Sequence, residues 1–425
     1  MIDIWLWIFI GACGCTLAWG LMAPQRVYEY PFFMGAIFSA FFVPQSVSLV
    51  MDPGSIVRLE SVNKALAMGS LCLLMAWIGY RYGAIKRVTR RPVPWLQPTR
   101  LQLAAGAAMI ISLCALWKMA TLPPEDIGSS GIFTILYFFA SFATVSAPIF
   151  LMRCFSRPTP ARVLLALIAG IPLAAAALSA GRRGQTAELV IFVMVCLYFA
   201  RGIVIGRVLA VLGVLLAAYL IPVFGAIREQ FWSSLAAGHI GDIPFSESMN
   251  RLLAGDILEF RNAAAMIQGI DWKGEYGLGT GYWDALVFRY VPGQLVGFDV
   301  KEALQFGWAS GAYDVIGFQV ASGSTFTAIG DTYQQFGYFG CLFFLFQGAL
   351  FRNLWIRAAE KHSLLAQVAY AALIPVALLA VTHGSTWFVQ GAPVVFLLLY
   401  GTYAYARRRR RRLAHESSSP AYSDY

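Results

Sequence analysis

Residues 364–382 read LLAQVAYAALIPVALLAVT and carry no charged side chain. As an α-helix this stretch is about 28 Å long, close to the roughly 30 Å hydrocarbon core of a bilayer. Comparable apolar runs recur at 4–22, 31–50, 65–83, 101–122, 132–152, 163–180, 187–202, 207–226, 335–355 and 389–406. Backbone polar groups inside lipid must be satisfied within the segment, which favours helices. The expected fold is all-α: a polytopic integral membrane protein of about 11 transmembrane helices, with one long extracytoplasmic loop between the eighth and the ninth. The chain then divides into eight helices over 1–226, the loop over 227–334, three helices over 335–406, and a basic, then polar tail over 407–425.

Composition agrees. The chain is 59% hydrophobic and 13% charged, with a mean hydropathy of +0.64. Only Asp3 precedes the first apolar run, so that run reads as a retained helix rather than a cleaved signal. The formal charge of +10 does not indicate nucleic acid as a partner. Its largest single contribution is Arg407 to Arg412, and a basic run just after a last span sets orientation and meets anionic lipid heads. The cysteines at 13, 15, 72, 114, 154, 196 and 341 lie in or beside spans, which argues against a disulfide framework.

Orientation follows from the basic loops. Arg81, Lys86, Arg87, Arg90, Arg91 and Arg100 fall in one loop, Arg153, Arg157 and Arg162 in another, and Arg352, Arg357 and Lys361 near a third. With the tail they share one face, which the positive-inside rule makes cytoplasmic. The loop at 123–131 carries Glu125 and Asp126 and falls outside.

A second set of cations breaks the rule. Arg182, Arg183, Arg228, Arg251, Arg261 and Arg289 fall in segments expected outside. An anionic, lipid-linked substrate would account for them, because the planar guanidinium pairs with phosphate oxygens and keeps its charge. The long loop is not low in complexity. Ser246 to Ile270 reads as an amphipathic helix with Ser246 as N-cap. Glycines and aromatics then mix through Gly274, Tyr276, Gly277, Gly279, Gly281, Tyr282 and Trp283, as suits an irregular sugar-facing or interface-hugging segment.

There is no Walker loop and no GxGxxG after a strand, so a nucleotide sugar is not the expected substrate. Ser179-Ala180-Gly181-Arg182-Arg183-Gly184-Gln185-Thr186 opens one helix. Gly279-Thr280-Gly281-Tyr282 and Tyr290-Val291-Pro292 follow. Ser322-Gly323-Ser324-Thr325 then runs into Gly330-Asp331-Thr332-Tyr333-Gln334-Gln335-Phe336-Gly337-Tyr338-Phe339-Gly340. This order, over roughly 175–355, resembles the bacterial O-antigen and capsule repeat-unit polymerases of the Wzy type, themselves related to O-antigen ligases. Relatives often carry an Arg and a Trp-Pro after the Pro, where this chain has Gly293-Gln294-Leu295-Val296. The resemblance implies a GT-C-like membrane glycosyltransferase of the bacterial cytoplasmic membrane, active on its outer face, without metal or other cofactor. Its substrate would be an undecaprenyl-diphosphate-linked oligosaccharide, and the resemblance leaves room for a chain-length regulator as partner.

Within that reading, Arg228 and His383 lead as catalytic residues, with Glu229 as a second possible base. Arg228 could instead snorkel at a helix end or pair with Glu229. His383 stands in Thr382-His383-Gly384-Ser385-Thr386-Trp387, and imidazole titrates near neutrality. Arg182, Arg183, Arg251, Arg261, Arg289 and Asp331 are the candidates for diphosphate and sugar contacts. Arg251 has a competing helix partner in Glu247, and Asp331 could simply cap a helix. The alternatives are an O-antigen ligase and a transporter or flippase of lipid-linked glycans. Spans nearly free of charge at their centres favour surface chemistry over passage.

Overall fold

The computed structural model describes residues 4–54, 56–123, 131–179, 183–217, 259–307, 311–320 and 324–407. Every regular element among them is a helix. We number them α1 Ile4–Leu21, α2 Tyr30–Met51, α3 Leu59–Tyr82, α4 Pro98–Ala120 and α5 Ile132–Ser156. Next come α6 Pro160–Ser179 and α7 Arg183–Arg201, then α8 Arg207–Ala217. From residue 259 onward follow α9 Glu259–Lys273, α10 Thr280–Tyr290, α11 Gly293–Val296, α12 Phe298–Ala303, α13 Thr327–Phe336, α14 Leu342–Trp355, α15 Leu364–His383 and α16 Thr386–Ala406.

Eight helical runs among the described residues are long and apolar enough to cross a membrane: α1 to α5, the run from α13 through α14, α15 and α16. Three shorter apolar stretches, in α6, α7 and α8, coincide with the sixth to eighth expected spans. The protein is a polytopic membrane protein. Prolines are accommodated locally. In α2 the Val43 amide reaches back five residues to the Phe38 carbonyl, a π-turn just ahead of Pro44.

The core of the bundle is the pair α3 and α14, which run parallel. Gly79 of α3 and Gly83, which caps its end, lie against the Leu345 backbone and Ala349, and Gly348 of α14 lies against the Ala76 carbonyl. None of the three has room for a Cβ. Small residues of this kind let two backbones approach where lipid offers no hydrophobic drive to associate. Asn353 finishes the seam: its Nδ2 donates to the carbonyls of Gly83 (2.8 Å) and Ala349 (2.7 Å), and its Oδ1 accepts from the Ile85 amide (2.9 Å).

The basic loops gather at one end of this bundle. Arg357 Nη1 donates to the carbonyls of Val88 and Arg91, and the Gln97 amide to the Ala406 carbonyl. Arg207 donates to the Met22 carbonyl at 3.0 Å, and Arg201 to that of Phe155. Arg100 stacks on Tyr405.

Two expectations need correcting. The ninth span does not begin at 335: helix is already present at Thr327, and the run is stepped at Gly337, whose φ of 56° lets a 3-10 turn over Gly337–Cys341 join α13 to α14. Polar residues of α13 disguised it as loop in a hydropathy reading. The amphipathic helix expected over 246–270 is also different where it is described. α9 is sunk into the bundle, with Phe260 and everything from Asn262 to Ile270 buried. Phe260 packs on Phe9 and Phe42 at ring separations of 6.1 and 5.8 Å. Ala263 to Ala265 make this close approach possible, and Gly330 of α13 sits on the Ala263 backbone.

Candidate active site

At the end of the bundle opposite the basic loops, four separated segments meet. The centre is Asp331, in the middle of α13 and 7% exposed. Its Oδ2 accepts from Ser385 Oγ at 2.6 Å and from the Thr386 amide at 3.2 Å. Ser385 has one hydroxyl proton, so it accepts from the Tyr282 phenol, 2.9 Å away. Burial pushes that phenol well above its usual range, and the charge of Asp331 adds to the effect. Tyr282 thus remains a proton donor throughout the physiological range. Asp331 is a cap, but of α16 rather than of its own helix, and it places a carboxylate at a helix N-terminus where the dipole favours it.

The Gly384 backbone, with φ of 120°, brings the loop between α15 and α16 against this carboxylate; a Cβ there would lie 3.3 Å from Asp331 Oδ2. The preceding residue is His383. Its Nδ1 is 2.8 Å from Thr382 Oγ1, and its ring meets Trp387 edge-on at 5.7 Å. Thr325 Oγ1 donates to the Thr382 carbonyl at 2.6 Å. Asn262 of α9 donates to the Thr325 carbonyl (3.0 Å) and to Ser324 Oγ (2.9 Å). The Tyr313 hydroxyl reaches the Asn262 carbonyl at 3.1 Å, and burial followed by the Asp331 charge raises its pKa as well.

A second latch closes the motif segments on each other. Gln335 Oε1 accepts from the amides of Gly279 (3.1 Å) and Gly281 (3.2 Å). The Gly277 and Leu278 amides donate to the carbonyls of Gln334 and Gln335. A Cβ on Gly281 would collide with Gln335 Nε2, so a larger residue there would displace the amide that forms this latch.

Among the described residues, several polar atoms in this region are buried without a hydrogen-bond partner: Arg261 Nε, Asn262 Oδ1 and Thr327 Oγ1. Thr327 also holds a positive φ of 57°, which costs energy for a β-branched residue. Unsatisfied buried groups and local strain are uncommon and concentrate at functional sites.

Of the residues singled out from the sequence, Asp331 and the His383 loop are brought together; Arg261 precedes the network residue Asn262 on α9 and makes no hydrogen bond of its own in that network among the described residues. Arg289 is not part of it. Seven residues beyond Tyr282 on α10, about 10 Å along the helix, its guanidinium lies over the rings of Tyr137 (5.3 Å) and Phe138 (6.0 Å) of α5. Arg182, Arg228, Glu229 and Arg251 lie outside the described residues, as does the side chain of Arg183, which opens α7. Sequence reasoning quoted Ser385, Tyr282 and Gln335 within its motifs without giving them a role, and passed over Asn262. Being uncharged, they carry no signal in a search for misplaced charge. A serine directly before the apolar run of α16 is nonetheless a helix-start signal. No family model, curated protein or solved structure matches the chain.

Proposed function

We propose that the protein is a glycosyltransferase that polymerises polyprenyl-diphosphate-linked oligosaccharide repeat units at the face of the membrane opposite its basic loops. One observation carries this reading. The separate segments whose order resembles the Wzy-type polymerases, Gly279 to Tyr282, Ser324-Thr325 and Gly330 to Gly340, fold onto one another and onto the His383-Gly384-Ser385-Thr386 loop around a buried carboxylate.

In the proposed reaction an acceptor sugar hydroxyl attacks the anomeric carbon of the donor glycan. A new carbon–oxygen bond forms as the bond to the diphosphate breaks, and polyprenyl diphosphate leaves with the electron pair. His383, at the rim of the network, takes the hydroxyl proton. Arg261 offers its Nε–H to the leaving diphosphate, where a preorganised cation stabilises growing negative charge. Asp331 is a positioning residue: through Ser385 and the Thr386 amide it fixes the loop that carries His383.

The test is complementation of a strain lacking its own repeat-unit polymerase, with the surface glycan displayed on a gel beside Arg261→Ala and His383→Ala. A ladder from wild type that collapses to single-repeat material in equally expressed variants supports the reading. A ladder present without the protein but transferred to lipid A only in its presence makes it a ligase. Precursor retained on the cytoplasmic side in its absence makes it a transporter and ends the proposal.

A further inference from the structure

Between α10 and α13 the chain makes an excursion whose apolar side chains face away from the protein. In α11 and α12 Leu295 is 81% exposed, Phe298 57% and Val300 51%. Val296, Leu304 and Phe306 are exposed too. The excursion is not loose. Lys301 Nζ donates to the Phe288 carbonyl (3.0 Å) and lies over the Phe288 ring. Asp284 accepts from the amides of Phe306 (2.7 Å) and Gly307 (3.0 Å), and Trp283 Nε1 donates to the Leu304 carbonyl (2.8 Å). A structured segment therefore holds these side chains outward.

Its depth is fixed by what α10 touches. The Tyr290 hydroxyl donates to the Gln390 carbonyl at 2.6 Å, and Gln390 Nε2 to the Ala285 carbonyl at 2.9 Å. Gln390 is four residues into α16, about 6 Å from its start. The ring of Tyr137, beneath Arg289, is five residues into α5, about 7.5 Å from its start. With 21 residues, α16 is about 31 Å long, nearly the hydrocarbon thickness. The end of α10, just before α11 begins, thus lies at the edge of the hydrocarbon rather than above it. Leu397 and Tyr400, farther along the apolar α16, are exposed in the same way.

We propose that α11 and α12 form an interfacial anchor whose apolar residues insert among the phospholipid acyl chains of the leaflet beside the candidate site. Val300 of α12 and Leu304, which caps its end, share one face by their four-residue spacing; the exposed carboxylates of Asp299 and Glu302, three apart, share another, with Phe298 at the helix start on the boundary beside Glu302. The anchor is independent of the proposed chemistry: it would hold for any activity at this end.

The test is photocrosslinking of the full chain in vesicles of phosphatidylethanolamine and phosphatidylglycerol. Benzoylphenylalanine replaces Leu295 or Phe298, and Leu397 serves as the lipid-facing reference. Peptides bearing a phospholipid mass adduct at 295 and 298, as at 397, are the expected result. Adducts at 397 alone would overturn the proposal. So would crosslinks from 295 or 298 to a second copy of the chain in place of lipid.

Discussion

Asp331 and Ser385, 54 residues apart, are joined by a 2.6 Å hydrogen bond that closes the N-terminus of α16 from a neighbouring helix. Removing the carboxylate leaves a buried hydroxyl and a helix-end amide unpaired. Asp331→Ala is expected to cost about 2–3 kcal/mol, the range for a charged hydrogen bond with an orphaned partner. Asp331→Asn, which keeps an acceptor, should cost less than half of that. Thermal unfolding in detergent measures both, and equal losses would show that the carboxylate's charge is essential to the cap.

Arg261 should separate function from stability. Among the described residues its Nε has no hydrogen-bond partner, so Arg261→Ala is expected to leave the melting temperature within about 2 °C while abolishing the glycan ladder. Arg261→Lys keeps the charge but loses the planar fork, and should give a shortened ladder. A fall in melting temperature that accounts for the lost product would instead assign Arg261 a structural role.

His383 is expected to act in the chemistry rather than in the loop's shape. His383→Gln preserves a polar side chain beside Thr382 and should retain the fold, read as unchanged proteolytic resistance. Product should fall by about 100-fold or more, the usual contribution of a general base. Near-normal product would pass that role to another group.

At the basic end, Glu29 gives a pH dependence with a definite sign. Burial raises its pKa above the ordinary carboxylate value of 4.5, outweighing the hydrogen bond from Tyr80 and the charges of Arg352 and Arg26. Its stabilising contribution is therefore full below the unfolded-state value and is lost as pH rises through the higher folded-state value. Glu29→Gln should match wild type near pH 4.5 and exceed it in melting temperature at pH 8. A gap that shrinks with rising pH would reverse the assignment.

Gly348 tests the central seam. Gly348→Leu must push α14 off α3 and is expected to cost several kcal/mol, at the upper end of overpacking effects. Gly106, beside which an added Cβ meets nothing within 4 Å, is the control; Gly106→Leu should be tolerated.

Most of the span pattern was legible because lipid imposes one simple rule, a run of about 20 apolar residues. Where helices obey other rules the reading faltered. α13 is polar along Gly330-Asp331-Thr332 and Gln334-Gln335 because its neighbours are protein, not lipid, so hydropathy began the helix eight residues late. α9 looked amphipathic in sequence, yet its polar residues Asn262 and Gln268 are spent on internal hydrogen bonds. In the candidate site, charge drew attention to Asp331, Arg261 and His383. The hydroxyls of Ser385 and Tyr282 that surround Asp331 are ordinary residues until the fold brings them together.

The parallel seam between α3 and α14 also bears on how the protein is made. Its partners are far apart in the chain: the Ile85 amide and the Asn353 side chain that receives it are 268 residues distant. During synthesis α3 enters the membrane long before α14 exists, with its glycine groove unfilled. Contacts of such long range close late, and an unfilled helix face in the interval is open to wrong neighbours. A nascent chain halted before Leu342 should therefore be cleared by membrane quality control, and one halted after Leu364 should be retained.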